Sequence, residues 1–390
     1  MSWLEDRTIA TLIGAAVGDA LGGAIEGWTP EQIAERHGGP VTGIVEPFYP
    51  NWETARPIAP YHKGDGHITD DTLMTHALVQ VYDETRKHLD AYDIASHLVP
   101  ILMGQPRWIP ELEKETIILH RIFLAEKWIV AKLHYGHQDP REAGVGNIVN
   151  CGAAMYMSPV GIVNAGDHRA AYLEGIDIAG THQWSYGREA AGVYAGTVAA
   201  SLHPNATAQS VIDAALEVAH DGTLAAIQAI VAAVEQARID DVIGDQPELG
   251  RRLRAAIRPY DTVGEEYRNP SMDARRPSRT KSIEELPVAL GFVLAHDGEF
   301  VPAVLGATNY GRDADSIATM AGSICAALKG TESVPAEWVK TIETNSKVDL
   351  TEVGQTMAKA AIAIMSADAK FVAQRLADLD QLGLVGGEAV

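Results

Sequence analysis

Two adjacent carboxylates, Asp70 and Asp71, follow Thr69 and stand directly before Thr72, Leu73, Met74, Ala77 and Leu78. Ionised groups at the head of an apolar run make little sense as core, so something cationic is expected beside them. The stretch Gly311-Arg312-Asp313-Ala314-Asp315-Ser316 repeats the pattern ahead of another run of small and apolar residues. Both read as helix N-termini, where side-chain oxygens cap free N–H groups and the dipole favours negative charge. Capping needs one such residue, whereas each start carries two carboxylates and a hydroxyl with no run of Lys or Arg alongside. An all-oxygen set suits a hard divalent cation, Mg²⁺ or Ca²⁺, while zinc would want His or Cys. The spacing is not that of an EF-hand, because Ile317 and Ala318 follow and no Gly holds the sixth position. A cation site would have to be assembled from both stretches.

The elements that would position these groups are helices. Ile9, Leu12, Ile13, Ala16, Val17 and Ala20 recur at the spacing of one helix face. Gly14, Gly18, Gly22 and Gly23 each weaken that helix by about 1 kcal/mol relative to Ala, so close packing or a ligand must offset them. Asp19 and Glu26 are the polar exceptions there and are expected to face a site. Further helices are expected over 71–83, 91–103, 112–133, 186–202, 211–238 with a break at His220-Asp221-Gly222, 284–296, 300–306 and 356–379. Five prolines and four aromatic residues between 38 and 63 forbid a regular helix and suggest an ordered loop over a functional region. The Gly/Ala-rich segment Asn150 to Gly161 reads either as tight helix packing or as backbone that a ligand approaches closely. The stretch 251–281 carries nine basic residues against four acidic ones, as a solvated excursion or a face for a phosphate or partner. No segment alternates with a sustained period of two, so the expected fold class is all-α, in one domain over 1–390.

Asp and Glu number 52 against 31 Lys and Arg, for a net charge of −21. That balance argues against a stable complex with nucleic acid and against anionic membranes, whose phosphates need a basic footprint. An anionic substrate would have to be received locally. The two cysteines, Cys151 and Cys325, sit in apolar or small-residue stretches, which fits a reducing compartment better than a disulfide scaffold. The apolar run from Thr8 to Ile25 is preceded by Glu5-Asp6-Arg7 and interrupted by Asp19, unlike a signal peptide. A soluble cytoplasmic protein is expected.

With both acidic stretches, the glycine-rich start and the Ala154-Met155 segment in view, the chain resembles the ADP-ribosylglycohydrolase family over about residues 8 to 330. The family's Thr/Ser-Asp-Asp motif matches Thr69, Asp70 and Asp71, and its Asp-x-Asp-Thr/Ser matches Asp313, Asp315 and Ser316. Its Gly-Asp-x-x-Gly-x-x-x-Glu matches Gly18, Asp19, Gly22 and Glu26. The resemblance implies a compact orthogonal helical bundle with a central cleft holding two Mg²⁺ ions, or Mn²⁺ in their place, on Thr69, Asp70, Asp71, Asp313, Asp315 and Ser316. It implies catalytic roles for Glu26, Asp71 and Asp315. It also implies contact with ADP-ribose, or a related nucleotide sugar, by Asp19, Gly146, Asn147, Asn150, Cys151, Gly152, Met155, His182, Tyr310, Gly311 and Arg312. Departures are Asn150-Cys151-Gly152 where members often carry Gly-Asn-Gly, Tyr156 where Arg is common, and Gly311-Arg312-Asp313 where Gly-Gly-Asp is common.

The implied chemistry is hydrolysis at the anomeric carbon of a ribose through an oxocarbenium-like transition state, with a metal-linked Asp or Glu26 as general base. The acceptor released is a protein, a nucleic acid or a small molecule. Two other readings stand beside it: an N-glycosidase for another nucleoside or nucleotide, and a non-catalytic ADP-ribose reader or crystallin-like member.

Overall fold

The computed structural model describes residues 1–47, 63–267, 269 and 271–384, with the side chains of 274 and 275 outside that description. Helix Trp3–Gly22 opens on a capping box between Ser2 and Glu5, and every residue from Thr8 to Gly22 is buried. Its glycines explain how a helix can be buried all round. A Cβ on Gly14 would overlap the carbonyl oxygen of Gly322, one on Gly18 that of Ala318, and one on Gly22 that of Ala314. The i, i+4, i+8 stripe thus lies backbone against backbone on helix Ala314–Lys329. On another face Gly354 meets Ile9, at 2.9 Å between a Cβ placed there and the Ile9 Cα, which admits helix Leu350–Gln381.

Around this pair the remaining helices form layers. Asp70–Thr85 packs on Leu350–Gln381 and touches the first helix. Ser185–Ser201 packs between His168–Ala179, Ala208–Val218 and Ser158–Val163. Asp221–Ile239, Gln246–Ile257 and Phe300–Asn309 enclose Glu285–Ala295, every residue of which is buried, as expected of a helix that is apolar all round. The all-α class therefore holds.

One expected helix does not form as read. Over 112–133 the α-helix begins only at Leu124 and runs to Val130 before a π turn at Ala131–Tyr135. Ahead of it, Arg107–Ile109 and Lys114–Thr116 pair as a short antiparallel ladder, with Trp108 opposite Glu115. Glu113, at φ +47°, turns the chain between the two strands. The consequence is functional geometry: the turn points the Glu111 carboxylate at the fully buried Arg121 guanidinium. Helices Pro30–His37, His168–Ala179, Gln246–Ile257 and Ala336–Ser346 also form, and the last helix starts at Leu350, where the Asp349 side chain accepts from Glu352 N at 2.7 Å. Residues 48–62 of the Pro/aromatic stretch, and the terminal 385–390, lie outside the described residues.

Glu174 joins three parts of the bundle by accepting from Tyr82 Oη and Leu89 N, both at 2.8 Å, and from Asn164 Nδ2 at 2.7 Å. His88 bridges it to the last helix, Nδ1 at 2.6 Å from Glu174 Oε2 and Nε2 at 3.1 Å from Asp368 Oδ2.

Two measurements test these contacts. Gly18→Ala is expected to destabilise the fold by about 1–3 kcal/mol through overpacking, opposite in sign to the roughly 1 kcal/mol gain of the same change at an exposed helical site. Urea denaturation decides between them, and a more stable variant would show that the facing backbone gives way. The hydrogen bond to Glu174 pushes the His88 pKa up to about 9. A raised folded pKa stabilises fully below the unfolded value of about 6.5, and the contribution is lost as pH rises through the folded one. Melting temperature should therefore fall between pH 6.5 and 9 more steeply in the native protein than in His88→Gln, and parallel curves would remove His88 from this role.

Candidate metal centre and active site

The two acidic helix starts converge, and at neither does the N-cap residue cap its own helix, although Asp315 Oδ1 accepts from Ser316 N at 3.0 Å. Thr69 and Asp313 are the N-caps of their helices, yet neither makes a side-chain cap bond. Asp19, from the buried first helix, does the capping instead. Its Oδ2 accepts from Thr69 N at 2.9 Å and Thr72 N at 3.1 Å, and Thr72 Oγ1 donates to it as well. Burial pushes the Asp19 pKa up to about 6 against these bonds. Asp19, expected at the substrate, is thus engaged in fixing the start of Asp70–Thr85, and Asp70 and Asp71 are left to face inward.

Glu26 reaches the same place along a different path. Gly27 N donates to Arg312 O at 2.5 Å, and Arg312 N donates to Trp28 O at 2.9 Å, so the turn after the first helix is clamped to the 310–313 loop. Gly311 has φ +70°, and a Cβ there would overlap Trp28 O, so this crossing needs glycine. Carboxylate oxygens of Glu26, Asp313 and Asp315 lie within 4.8 Å of one another. Asp71 joins them: its pKa is raised well above the usual range by burial and by the charges of Asp19, Asp70 and Asp313, while Ser316 donates to it. Burial and the charges of Glu26, Asp71 and Asp313 likewise raise Asp315.

Part of the cationic neighbour expected at Asp70-Asp71 is now identified. Arg121 Nη1 stands 3.0 Å from Asp70 Oδ1, and both side chains are buried. Burial still raises the Asp70 pKa, with Arg121 opposing it. Arg121 leaves the rest of the cluster unneutralised. Among the described residues Asp71 Oδ1 is buried without a hydrogen-bond partner. Buried polar atoms of this kind call for an explanation, and an oxygen-ligated cation is one that fits.

The Gly/Ala segment divides in two. Asn147 Nδ2 donates to Ala125 O at 2.9 Å and His182 O at 2.8 Å, Gly146 turns at φ +93° beside Trp128, and Met155 packs in the apolar core. These three hold the fold. Asn150 and Cys151 face the site: Asn150 lines its cavity, and Cys151 Sγ lies 3.0 Å from Asp313 Oδ2. Gly152 gives room to Glu126, whose Oε1 a Cβ there would overlap. Burial, then the charge of Asp70, pushes the Glu126 pKa up to about 8. His182 Nε2 is 3.7 Å from Glu126 Oε1, its Nδ1 is 3.1 Å from Tyr156 Oη, and burial lowers its pKa to about 3, so the imidazole is neutral.

Tyr310 and Arg312 also have internal partners. Arg312 Nε donates to Glu284 Oε2 at 2.6 Å and Nη2 to Asp261 Oδ2 at 3.3 Å, and the Tyr310 hydroxyl donates to Glu284. Several described arginines of the 251–281 stretch pair in the same way. Arg254 meets Asp261 and Glu284, both at 2.9 Å, Arg258 meets Glu265 at 2.8 Å, and Arg279 meets Asp221 at 2.8 Å. At these positions the positive charge is neutralised within the chain, so they do not form a free basic face. What the stretch contributes is Tyr267. Its Oη donates to Glu26 Oε1 at 3.5 Å, and the Arg312 guanidinium lies 5.4 Å from its ring centroid. Tyr267 lines two cavities, one of about 280 Å³ with Asn150, Glu285 and Asp313, and one of about 480 Å³ with Trp28, Arg254 and Arg312.

Sequence reasoning missed Glu285, Glu126, Arg121 and Tyr267. Glu284-Glu285 before an apolar helix repeats the signature of Asp70-Asp71, so the pair was open to the same reading. The other three carry no local signal, since each reaches the site through the course of the chain.

A cleft of converging buried carboxylates in an all-α bundle, with cavities of small-ligand size beside it, defines a candidate metal-dependent enzyme. The ADP-ribosylglycohydrolase family model matches residues 2–370, and the chain belongs to that family of glycosyl hydrolases. An uncharacterised protein of Archaeoglobus fulgidus is 26% identical over 86% of this chain and 92% of its own length. The ADP-ribosylarginine hydrolase Tri1 of Pseudomonas putida is 25% identical over 86% of this chain and 74% of its own. A solved structure described as an ADP-ribosylglycohydrolase-related protein complex shares the fold at a TM-score of 0.55 and 18% identity, covering 93% of this chain and 100% of that one. Among the described residues no helix is long and apolar enough to cross a membrane.

Proposed function

We propose that this protein hydrolyses the bond at the anomeric ribose carbon of an ADP-ribosylated acceptor and uses Mg²⁺, or Mn²⁺ in its place, in the acidic centre. The observation that supports this best is the convergence of Glu26, Asp313 and Asp315 beside Asp71, whose Oδ1 has no hydrogen-bond partner among the described residues. Thr69, Asp70, Asp71, Asp313, Asp315 and Ser316, with Glu26, would hold the cations. Mg²⁺ takes about six oxygen ligands and keeps several waters, so this many side chains favours two ions over one. When bound, the ions would orient the ribose oxygens and stabilise developing negative charge.

The chain's own groups handle the protons. Hydrolysis takes one proton from water and delivers one to the leaving group. Glu26 is half-buried as a residue, whereas Asp71 and Asp315 are buried, and it is the member of the cluster to which this reading gives the proton transfer. Tyr267 orients it by donating to Oε1. Asn150 and Tyr267 line the cavity beside Asp313, where the remainder of the substrate would lie. ADP-ribosylated arginine is the first acceptor to assay, given the activity named for the Pseudomonas relative, with ADP-ribosylated serine and nucleic acid beside it.

Two tests follow from this reading. Asp71→Asn and Asp315→Asn should each abolish release of ADP-ribose, read by mass spectrometry, with the helical circular dichroism nearly unchanged. Glu26→Gln should lower kcat by about 10²- to 10⁴-fold, the usual cost of losing a general acid or base. Near-native turnover in either Asp variant would sink the metal centre, and a Glu26→Gln effect confined to KM would assign Glu26 to binding.

Stability gives an independent check that needs no substrate. Raised folded pKa values at Asp19, Asp71 and Asp315 mean that the cation-free protein loses stability as pH rises from about 3.8 through the folded values, about 6 at Asp19. Mg²⁺ counters that repulsion and binds the folded state, contributing about 2.7 kcal/mol when free ion is roughly 100 times Kd. The rise in melting temperature on adding Mg²⁺ to EDTA-treated protein should be larger at pH 7.5 than at pH 5. Asp71→Asn combined with Asp315→Asn should erase it, and an equal rise in the native and doubly substituted proteins would exclude binding there.

A further inference from the structure

Cys151 is the departure from the family pattern that hydrolysis leaves without a use. It opens the turn Cys151–Tyr156, while Glu285 opens its helix and Asp313 immediately precedes another. The folding of three separate element starts against one another brings Cys151 Sγ, a Glu285 oxygen and an Asp313 oxygen within 4.8 Å of each other. All three residues are more than nine-tenths buried. Cys151 Sγ lies 3.0 Å from Asp313 Oδ2 and 3.5 Å from Ser316 Oγ. Glu285 and Asp313 also line the cavity of about 280 Å³, which supplies a route for an ion and room for a water.

We propose that Cys151, Glu285 and Asp313 form a site for a thiophilic divalent cation, Zn²⁺ above all, distinct in ligand chemistry from the all-oxygen centre that adjoins it. A thiolate selects Zn²⁺ or Cd²⁺ over Mg²⁺, because soft ligands favour softer ions and hard Mg²⁺ favours oxygen. Zinc accepts sulfur and carboxylate donors together, and three protein donors leave the usual fourth position for a water from the cavity. Binding breaks the Cys151 S–H bond, forms the sulfur–metal bond and releases the proton to solvent. Asp313 belongs to both donor groups. An ion held by Cys151 therefore draws on a carboxylate that the neighbouring centre shares, and Zn²⁺ acts as an inhibitor of the Mg²⁺-supported enzyme.

Cd²⁺ titrated into the EDTA-treated full chain is the direct probe, since a thiolate–cadmium bond gives a near-ultraviolet charge-transfer band. The native protein and Cys325→Ser should both show the band, saturating at one ion per chain. Glu285→Gln should shift the titration to higher Cd²⁺, and Cys151→Ser should lose the band. Zn²⁺ should abolish the band by displacement. Absence of the band in the native protein, or its persistence in Cys151→Ser, overturns the site. If Cys151→Ser does not fold, alkylation of the native protein followed by peptide mass spectrometry replaces it. Zn²⁺ should then slow modification of Cys151 where Mg²⁺ does not, and equal rates with the two ions overturn the site. These readouts do not depend on hydrolysis. Competition between Mg²⁺ and Cd²⁺ reports separately on whether Asp313 is shared.

Discussion

Helices Trp3–Gly22 and Ala314–Lys329 approach so closely that glycine is needed at three successive turns of the contact. Everything in the acidic centre is referred to that contact. The first helix carries Asp19 in its last turn and delivers Glu26 just beyond its end, and the second begins with Asp313 and Asp315. A side chain between the two backbones would push those groups apart, and the clamp between Gly27, Trp28 and Arg312 would open with them. The intrinsic cost of the glycines is about 1 kcal/mol each, which close packing along the crossing offsets.

The second organising feature is a sorting of charge. Around the centre several buried acids have a named arginine: Glu111 and Asp70 share Arg121, while Glu284 is held by Arg254 and Arg312. These pairs meet the desolvation cost of burying carboxylates by geometry within the chain. Glu26, Asp71, Asp313, Asp315 and Glu285 make up the inner group, where carboxylates face carboxylates. A stable protein tolerates such crowding when protons or cations occupy it, and the raised pKa values of Asp71, Asp315 and Glu285 express that demand. In a chain of net charge −21 the same sorting neutralises described arginines of the 251–281 stretch. Its described arginines are largely committed to acids, and Tyr267 is what it presents to the centre.

The all-α class was legible in the sequence because apolar periodicity is a local property, and most expected helices form within a few residues of where the pattern put them. The failure at 112–133 has a local cause as well: Glu113 takes a left-handed backbone and Lys114–Thr116 pairs back on Arg107–Ile109, so α-helix begins only at Leu124. The acidic pairs at 70–71 and 313–315 were legible for a different reason. Two carboxylates and a hydroxyl exceed what one helix cap can use, so the excess had to serve something beyond the local chain.

Which groups those side chains meet was decided by tertiary structure, since partners from distant segments replace local ones. Capping of Asp70–Thr85 falls to Asp19 and charge neutralisation of Asp70 to Arg121, and both come from other segments. The partners of Asn147, Met155, Tyr310 and Arg312 in backbone, core and buried acids likewise come from other segments. Sequence alone determined which residues carry charge, where helices begin and which family pattern the chain follows. Only folding decided which carboxylates would meet an arginine, which would meet each other, and that a cysteine would stand among them. Electrostatics acts through distance in space, and spacing along the chain does not report that distance.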